Sequence, residues 1–134
     1  MIESQGMSVS RVLVADDHEA FRQGFVEFLR KHYDVEVIGE AKDGIEAITL
    51  TQSLHPDLVL IDMSMPRLSG IEAAQQIRAA FPELKVVFVT IHEEETYQAM
   101  VEFIHADGFV RKSFLKEDLK KVLKRVIGLD TKNN

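Results

Sequence analysis

The chain has 134 residues, 46% of them hydrophobic and 28% charged, with a formal net charge of −6. That length fits one domain with its own hydrophobic core, the acidic balance argues against this segment itself gripping nucleic-acid phosphates, and the lack of cysteine excludes disulfides and thiolate zinc sites. No apolar stretch reaches the length of a membrane span, and Met1-Ile-Glu-Ser-Gln-Gly6 lacks the basic and apolar regions of a secretory signal, so the default expectation is a cytoplasmic location without membrane contact.

Short apolar runs alternate with helical stripes five times along the chain. Arg11-Val-Leu-Val-Ala15 predicts a first strand ending on Asp16-Asp17, and Phe21, Phe25, Phe28 and Leu29 follow at helical spacing. Val35-Glu-Val-Ile38 is the second run, ending in Gly39-Glu-Ala41. Asp43-Gly-Ile-Glu46 has the pattern of a capping box, with Asp43 as N-cap, opening a helix that runs to about Leu54. The third run, Leu58 to Ile61, ends on Asp62, and the loop Met63-Ser-Met-Pro-Arg-Leu-Ser-Gly70 leads to a helix containing Ile71, Ala74 and Ile77. Val86 to Val89 ends on Thr90 and precedes a helix with Tyr97, Met100, Val101 and Ile104 on one face. Gly108-Phe-Val-Arg111 ends on Lys112 and precedes Leu119, Val122, Leu123, Val126 and Ile127.

Near-continuous β-branched runs are typical of strands covered by helices on both faces. Five βα units therefore predict a doubly wound, flavodoxin-like parallel sheet, for which the order 2-1-3-4-5 is one common solution. The domain is expected over residues 9–128, with 1–8 and 129–134 as flexible ends. In such a sheet Asp16, Asp17, Asp62, Thr90 and Lys112 all emerge at the carboxyl edge, where ligands bind.

Two carboxylates about 5 Å apart repel by roughly 3 kcal/mol at an effective dielectric near 20. Several of them with only Lys112 as counter-charge suit a hard divalent cation, and Mg²⁺ accepts a few carboxylates, waters and phosphate oxygens. A carboxylate beside the ion is a competent phosphoryl nucleophile, and the ion and Lys112 would neutralise the transferring group. Each residue alone has a plainer reading: the Asp pair as helix-capping loop residues, Asp62 as a turn residue before Pro66, Thr90 as a strand-end hydroxyl, and Lys112 as a solvated lysine. Their joint placement at the ends of four separate runs is what points to a site.

Val12-Leu-Val-Ala-Asp-Asp-His18, Asp57-Leu-Val-Leu-Ile-Asp-Met-Ser-Met-Pro66 with Gly70, Val87-Phe-Val-Thr90 and Ala106-Asp-Gly-Phe-Val-Arg-Lys112 resemble the receiver domain of two-component response regulators, over about residues 10–128. The resemblance implies that Asp62 accepts a phosphoryl group from a sensor histidine kinase or phosphotransfer protein. It implies Mg²⁺ bound directly by Asp17, Asp62 and the Ser64 main-chain carbonyl, with Asp16 acting through water. Thr90 and Lys112 would hold the phosphoryl oxygens, and Phe109 would be the aromatic that turns inward as Thr90 moves. It implies a two-state switch biased by phosphorylation, self-phosphorylating and self-dephosphorylating rather than a turnover enzyme.

Asp17-His18, Val37-Ile-Gly-Glu-Ala41 and a lysine not followed by proline are similar to the branch whose receivers precede a LuxR/NarL-type helix-turn-helix. Only Gly128 to Asn134 follow Ile127, so a stand-alone receiver and a chain cut at its linker both remain open. Two departures from the family pattern carry expectations. Ser113 replaces the usual proline after Lys112, and a cis bond to a non-proline residue costs roughly 3–4 kcal/mol, so this bond is expected to be trans. Ile91 stands where a small residue is usual, and is expected to narrow the approach of attacking water and slow loss of the phosphoryl group.

The five histidines (His18, His32, His55, His92 and His105) are dispersed and read as surface or loop residues rather than a zinc site, although His92 could face the site. The aromatic stripe of the first helix reads as core with an edge available for kinase docking. The basic last helix, with Lys116, Lys120, Lys121, Lys124 and Arg125, reads as a solvated face, or as a homodimer or partner surface. Two rivals to the switch stand: a binding module that kept the fold without phosphorylation, and a metal-dependent aspartyl phosphatase of the haloacid dehalogenase type. The second resembles Asp-x-Asp after its first strand, whereas here the acids are adjacent.

Overall fold

The computed structural model describes residues 9–91 and 105–132. Within them lie β1 (Ser10–Ala15), α1 (Glu19–His32), β2 (Val35–Ala41), α2 (Gly44–Leu54), β3 (Leu58–Ile61), α3 (Gly70–Ala80), β4 (Lys85–Thr90), β5 (Gly108–Arg111), a 3-10 turn (Lys112–Phe114) and α4 (Leu115–Ile127). The helix expected around Tyr97, Met100, Val101 and Ile104, His92, and the terminal residues 1–8 and 133–134 lie outside the described residues.

The strands form one sheet in the order β2-β1-β3-β4-β5, every pairing parallel. Because side chains alternate across a strand, each run feeds two cores. Leu13, Ala15, Val59, Ile61, Val86 and Phe88 pack with Ala73, Ala74 and Ile77 of α3 on one face. Val12, Val14, Leu58, Leu60, Val87 and Val89 pack with Phe25, Val26 and Leu29 of α1 and Leu119, Val122 and Leu123 of α4 on the other. That two-sided burial is why these strands read as unbroken apolar runs.

Strand β2 extends three residues beyond the run Val35–Ile38, to Ala41. The register with β1 shifts between Val12 and Leu13, so that Leu13 pairs with Gly39 and Ala15 with Ala41. A Cβ at Gly39 would stand 3.0 Å from Leu54 Cδ1 and 3.2 Å from Leu13 Cδ1, so the glycine is part of what lets the helix side chains reach the strand here. Helix α2 spans the expected residues, but its cap differs in detail. Asp43 accepts from the Glu46 N–H at 2.8 Å, while Glu46 reaches back to the N–H of Lys42 at 2.7 Å rather than to that of Asp43. The reciprocal capping box belongs instead to α3, between Ser69 and Glu72.

At the opposite edge of the sheet, Arg78 donates to Asp107 Oδ2 at 2.6 Å and to the carbonyls of Leu84 and His105 at 3.2 and 2.9 Å. Asp107 Oδ2 also accepts the Val86 N–H at 2.8 Å, which ties α3 to the start of β4 and the approach to β5. Helix α4 closes on Gly128 at φ +67, with Gly128 N donating to Lys124 O and Leu129 N to Leu123 O. Beyond it, the Lys132 N–H donates to His32 O at 2.8 Å and its ammonium to Arg30 O at 3.0 Å, both main-chain carbonyls at the end of α1. The Lys112–Ser113 bond is trans, as expected, and the chain there forms the 3-10 turn.

Candidate functional site

Strands β1 and β3 are neighbours, with Ala15 opposite Ile61, and the ladder runs one step further as the Asp62 N–H donates to Ala15 O at 2.9 Å. Asp16 and Asp62 therefore leave the sheet side by side. Asp16 is 2% exposed and Asp62 6%, so water solvates neither carboxylate fully. Lys112, at the end of β5, supplies the counter-charge. Its ammonium is 2.8 Å from Asp16 Oδ2 and 3.3 Å from Asp62 Oδ2, and 4.3 Å from the centre of the Phe21 ring, a cation–π contact from α1.

Asp16 Oδ1 accepts the His18 N–H at 2.9 Å. Asp16 Oδ2 is buried and faces the Lys112 ammonium, but that approach lacks the alignment of a hydrogen bond, so the oxygen is charge-paired and not hydrogen-bonded. Asp62 Oδ1 has a long contact, 3.4 Å, from the Ser64 N–H. Burial pushes the Asp62 carboxyl above the ordinary carboxylate range; Lys112 opposes that shift and the charge of Asp16 adds to it.

One ligand atom each from Asp16, Asp17, His18 and Asp62 lies within 4.8 Å of the others. Carboxylate oxygens in excess of the local positive charge, one of them buried without a hydrogen bond, fit a hard divalent cation. Of the residues singled out in the sequence, Asp16, Asp17, Asp62 and Lys112 are thus brought together. Thr90 is wholly buried at the end of β4, opposite Arg111. With Ile61 opposite Phe88, the sheet register sets Thr90 one residue beyond the level of Asp62. Ser64 sits exposed at the mouth with its N–H toward Asp62. Phe109 is half-buried and stacks on Phe88, ring centres 6.2 Å apart. Ile91 is 79% exposed.

Three further supports were not recognised as such in the sequence, although Gly70 belongs to one of the matching stretches quoted above. Arg22 on α1 donates to the main-chain carbonyl of Asp16 at 2.7 Å and to Glu40 of β2 at 2.9 Å, so it holds the acidic turn from behind. Its only signal was a basic residue one helical turn after His18, with Glu40 in the second run. Arg67 in the loop after β3 pairs with Asp43 Oδ2 at 2.9 Å. The Glu46 N–H holds the Asp43 carboxyl below its usual range, with Arg67 adding to the effect. The last support is steric: a Cβ at Gly70 would lie 1.6 Å from Asp62 O, and one at Gly44 2.0 Å from Leu68 O. The starts of α3 and α2 thus press directly on the loop that carries Asp62. The aromatic stripe of α1 divides, with Phe25 in the core and Phe21 and Phe28 half-buried. Phe21 and Phe28 line a groove with Gly24, Lys112 and Leu115.

Residues 12–124 match the family described as response regulator receiver domain. The chain is 41% identical over 111 residues to the uncharacterized transcriptional regulatory protein YxjL of Bacillus subtilis (strain 168), covering 81% of this chain and 50% of that protein. Its fold superposes on the signal receiver domain of the putative response regulator NarL from Mycobacterium tuberculosis with a TM-score of 0.78, at 32% identity, covering 90% and 94% of the two chains. A two-component response regulator of the LuxR family from Aurantimonas sp. SI85-9A1 gives 0.83 at 28% identity, covering 90% and 86%. The chain spans about half the length of the curated relatives it matches. Among the described residues no helix is long and apolar enough to cross a membrane. With the family match, these relatives and the acid–lysine cluster in agreement, the chain belongs to the response regulator receiver domains of two-component systems, phosphorylation-controlled switches, on their LuxR/NarL-type branch.

Proposed function

We propose that residues 9–128 act as the receiver unit and that Asp62 is the phosphoacceptor. An Asp62 carboxylate oxygen attacks the phosphorus of a phosphohistidine on a sensor histidine kinase or phosphotransfer protein. The P–N bond breaks as the new P–O bond forms, and the imidazole leaves with its electron pair. The observation that carries this reading is Lys112 held between Asp16 and Asp62, at 2.8 and 3.3 Å, on one sheet edge. A bound Mg²⁺ would neutralise charge on the transferring phosphoryl group. Asp17, Asp62 and the Ser64 carbonyl would hold it, with Asp16 through water.

Lys112, already paired with both acids, then offers its protons to phosphoryl oxygens, and the Thr90 hydroxyl donates to another. Movement of Thr90 toward the phosphoryl group leaves room for Phe109 to turn inward, which favours the active arrangement of an existing equilibrium. In this reading the switch acts in the cytoplasm without nucleic-acid contact of its own. It controls a downstream output, such as transcription through an attached domain, with a homodimer as one form of the active state. Slow self-dephosphorylation resets it, so it is no turnover enzyme.

The test is incubation with Mg²⁺ and a small acyl phosphate, followed by intact mass. One added phosphoryl group, absent from Asp62→Asn and reduced when Mg²⁺ is chelated, is the expected result. Uptake by Asp62→Asn equal to the parent's would overturn the assignment.

A further inference from the structure

We propose that His18 is an additional ligand of the acidic site and turns it toward divalent first-row transition ions, the Mn²⁺ to Zn²⁺ series, in preference to Mg²⁺. This rests on the reading of Asp16, Asp17 and Asp62 as a cation site. The first observation is distance. His18 Nδ1 stands 3.5 Å from Asp16 Oδ1 and 3.6 Å from Asp17 Oδ1. Ligand atoms around an ion with bonds of about 2.1 Å sit roughly 3 to 4.3 Å apart in octahedral or tetrahedral arrangements. Both spacings fall in that range, and the full set with Asp62 spans 4.8 Å, which a small rotation of the exposed side chains closes.

The second observation is how the residue is held. The His18 N–H donates to Asp16 Oδ1 at 2.9 Å, which fixes the residue against the carboxylate it would share an ion with. At the N-cap of α1 its side chain makes no capping hydrogen bond, and the ring is 71% exposed. It is therefore available to the mouth of the site and is not part of the core. The third is that Asp16 Oδ2, buried in the same cluster, is charge-paired with Lys112 at 2.8 Å but accepts no hydrogen bond, and Lys112 is the only cationic side chain paired with it among the described residues.

The selectivity follows from ligand chemistry. Mg²⁺ takes oxygen ligands and retains water, whereas imidazole suits the transition ions, whose affinity for mixed nitrogen and oxygen sites rises from Mn²⁺ toward Cu²⁺. Carboxylates alone would leave the site to whichever hard cation is abundant. One nitrogen in reach changes the ranking.

Mn²⁺ is the probe, used with the intact chain. Its bound fraction is read from the loss of the free-ion EPR signal, competition with Mg²⁺ gives the affinity ratio, and pulsed EPR detects ¹⁴N coupled to the bound ion. Removing residues that only touch a metal's ligands already costs roughly 10- to 100-fold in affinity. His18→Gln should therefore abolish the nitrogen coupling and lower the Mn²⁺-over-Mg²⁺ ratio at least tenfold. Mn²⁺ bound without nitrogen coupling, with the ratio unchanged in His18→Gln, would overturn the proposal and leave the carboxylate site intact. Mn²⁺ binding that is absent, or unaffected by Asp17→Asn, would overturn the cation site as well. Because the ring is exposed, His18→Gln should unfold at the same urea concentration as the parent, and a nitrogen signal lost through unfolding is recognised by that comparison.

Discussion

Gly70→Ala tests whether the start of α3 sets the position of Asp62. The added Cβ would meet Asp62 O at 1.6 Å, the Asp62 carbonyl carbon at 2.7 Å and Met63 Cα at 3.1 Å. Real contacts of this kind are no shorter than 3.0 Å, so the two backbones must part by about 1.4 Å. Overfilling a packed interior typically costs about 1–3 kcal/mol when side chains can yield. Here the obstacle is the main chain of the acceptor residue, which places the cost near 3 kcal/mol. Separation also strains the Gly70 N–H to Met63 O bond of 2.9 Å. For a domain of this size the melting temperature should fall by roughly 10 °C. A displacement of about 1 Å at a reacting group costs on the order of 10²-fold in rate, so phosphoryl uptake from an acyl phosphate should slow sharply even in the folded fraction. Gly24→Ala is the control: nothing lies within 4 Å of its Cβ in the middle of α1, and it should gain about 0.5–1 kcal/mol. Urea titration monitored by far-UV circular dichroism compares the three. If Gly70→Ala stayed within roughly 0.5 kcal/mol of the parent and took up phosphate at its rate, the close-approach argument would be refuted.

Burial raises the Asp62 proton affinity in the fold. Stability therefore falls as pH rises from the unfolded to the folded pKa of Asp62, and above that window the ionised carboxylate is a standing cost. Asp62→Asn in chelator at neutral pH should be more stable than the parent, and Mg²⁺ should stabilise the parent but not the variant; a less stable variant in chelator contradicts this. Asp118 is the opposite case. The side-chain hydrogen bonds from Arg111, at 2.7 and 2.9 Å, are the largest cause holding its carboxyl below the usual range. Its contribution is present above the unfolded pKa and lost as pH falls through the folded one, below about pH 4. Asp118→Asn should cost about 1 kcal/mol at neutral pH, since Arg111 is partly exposed, with the difference vanishing in acid. Arg22→Ala frees the Asp16 carbonyl and should weaken Mg²⁺ binding by about tenfold in calorimetric titration; unchanged affinity would remove its positioning role. Ile91→Ala should shorten the lifetime of phosphorylated protein, followed by mass against time, and an equal lifetime would show that Ile91 does not restrain water.

Much of the fold was legible because each element carries its own local signal. Runs buried on both faces read as strands, and stripes such as Leu119, Val122 and Leu123 read as one helix face. The boundaries that shifted depend on neighbours. Strand β2 runs on to Ala41 because β1 pairs with it there, and Glu46 caps Lys42 rather than Asp43 because of the local path of the chain. Arg67 and Arg78 gave no sequence signal of their importance, and Arg22 only its place one helical turn after His18. Their carbonyl and carboxylate partners are assembled by packing, from as far as 29 residues away in the case of Arg78 and Asp107.

The order of runs, stripes and polar run-ends was enough by itself to determine the five strands, the helices that follow β1, β2, β3 and β5, and the residue types at the sheet edge. Through one common strand order it put Asp16, Asp62 and Lys112 at the same sheet edge, but it could not supply the distances between them. Right-handed crossovers permit more than one strand order, and only the tertiary arrangement sets β1 against β3 and brings an ammonium from 50 residues away to 3.3 Å from Asp62. The reason is physical: periodicity records which side of an element is buried, whereas a carboxylate's neighbours are fixed by strand register and by helices packing over both faces.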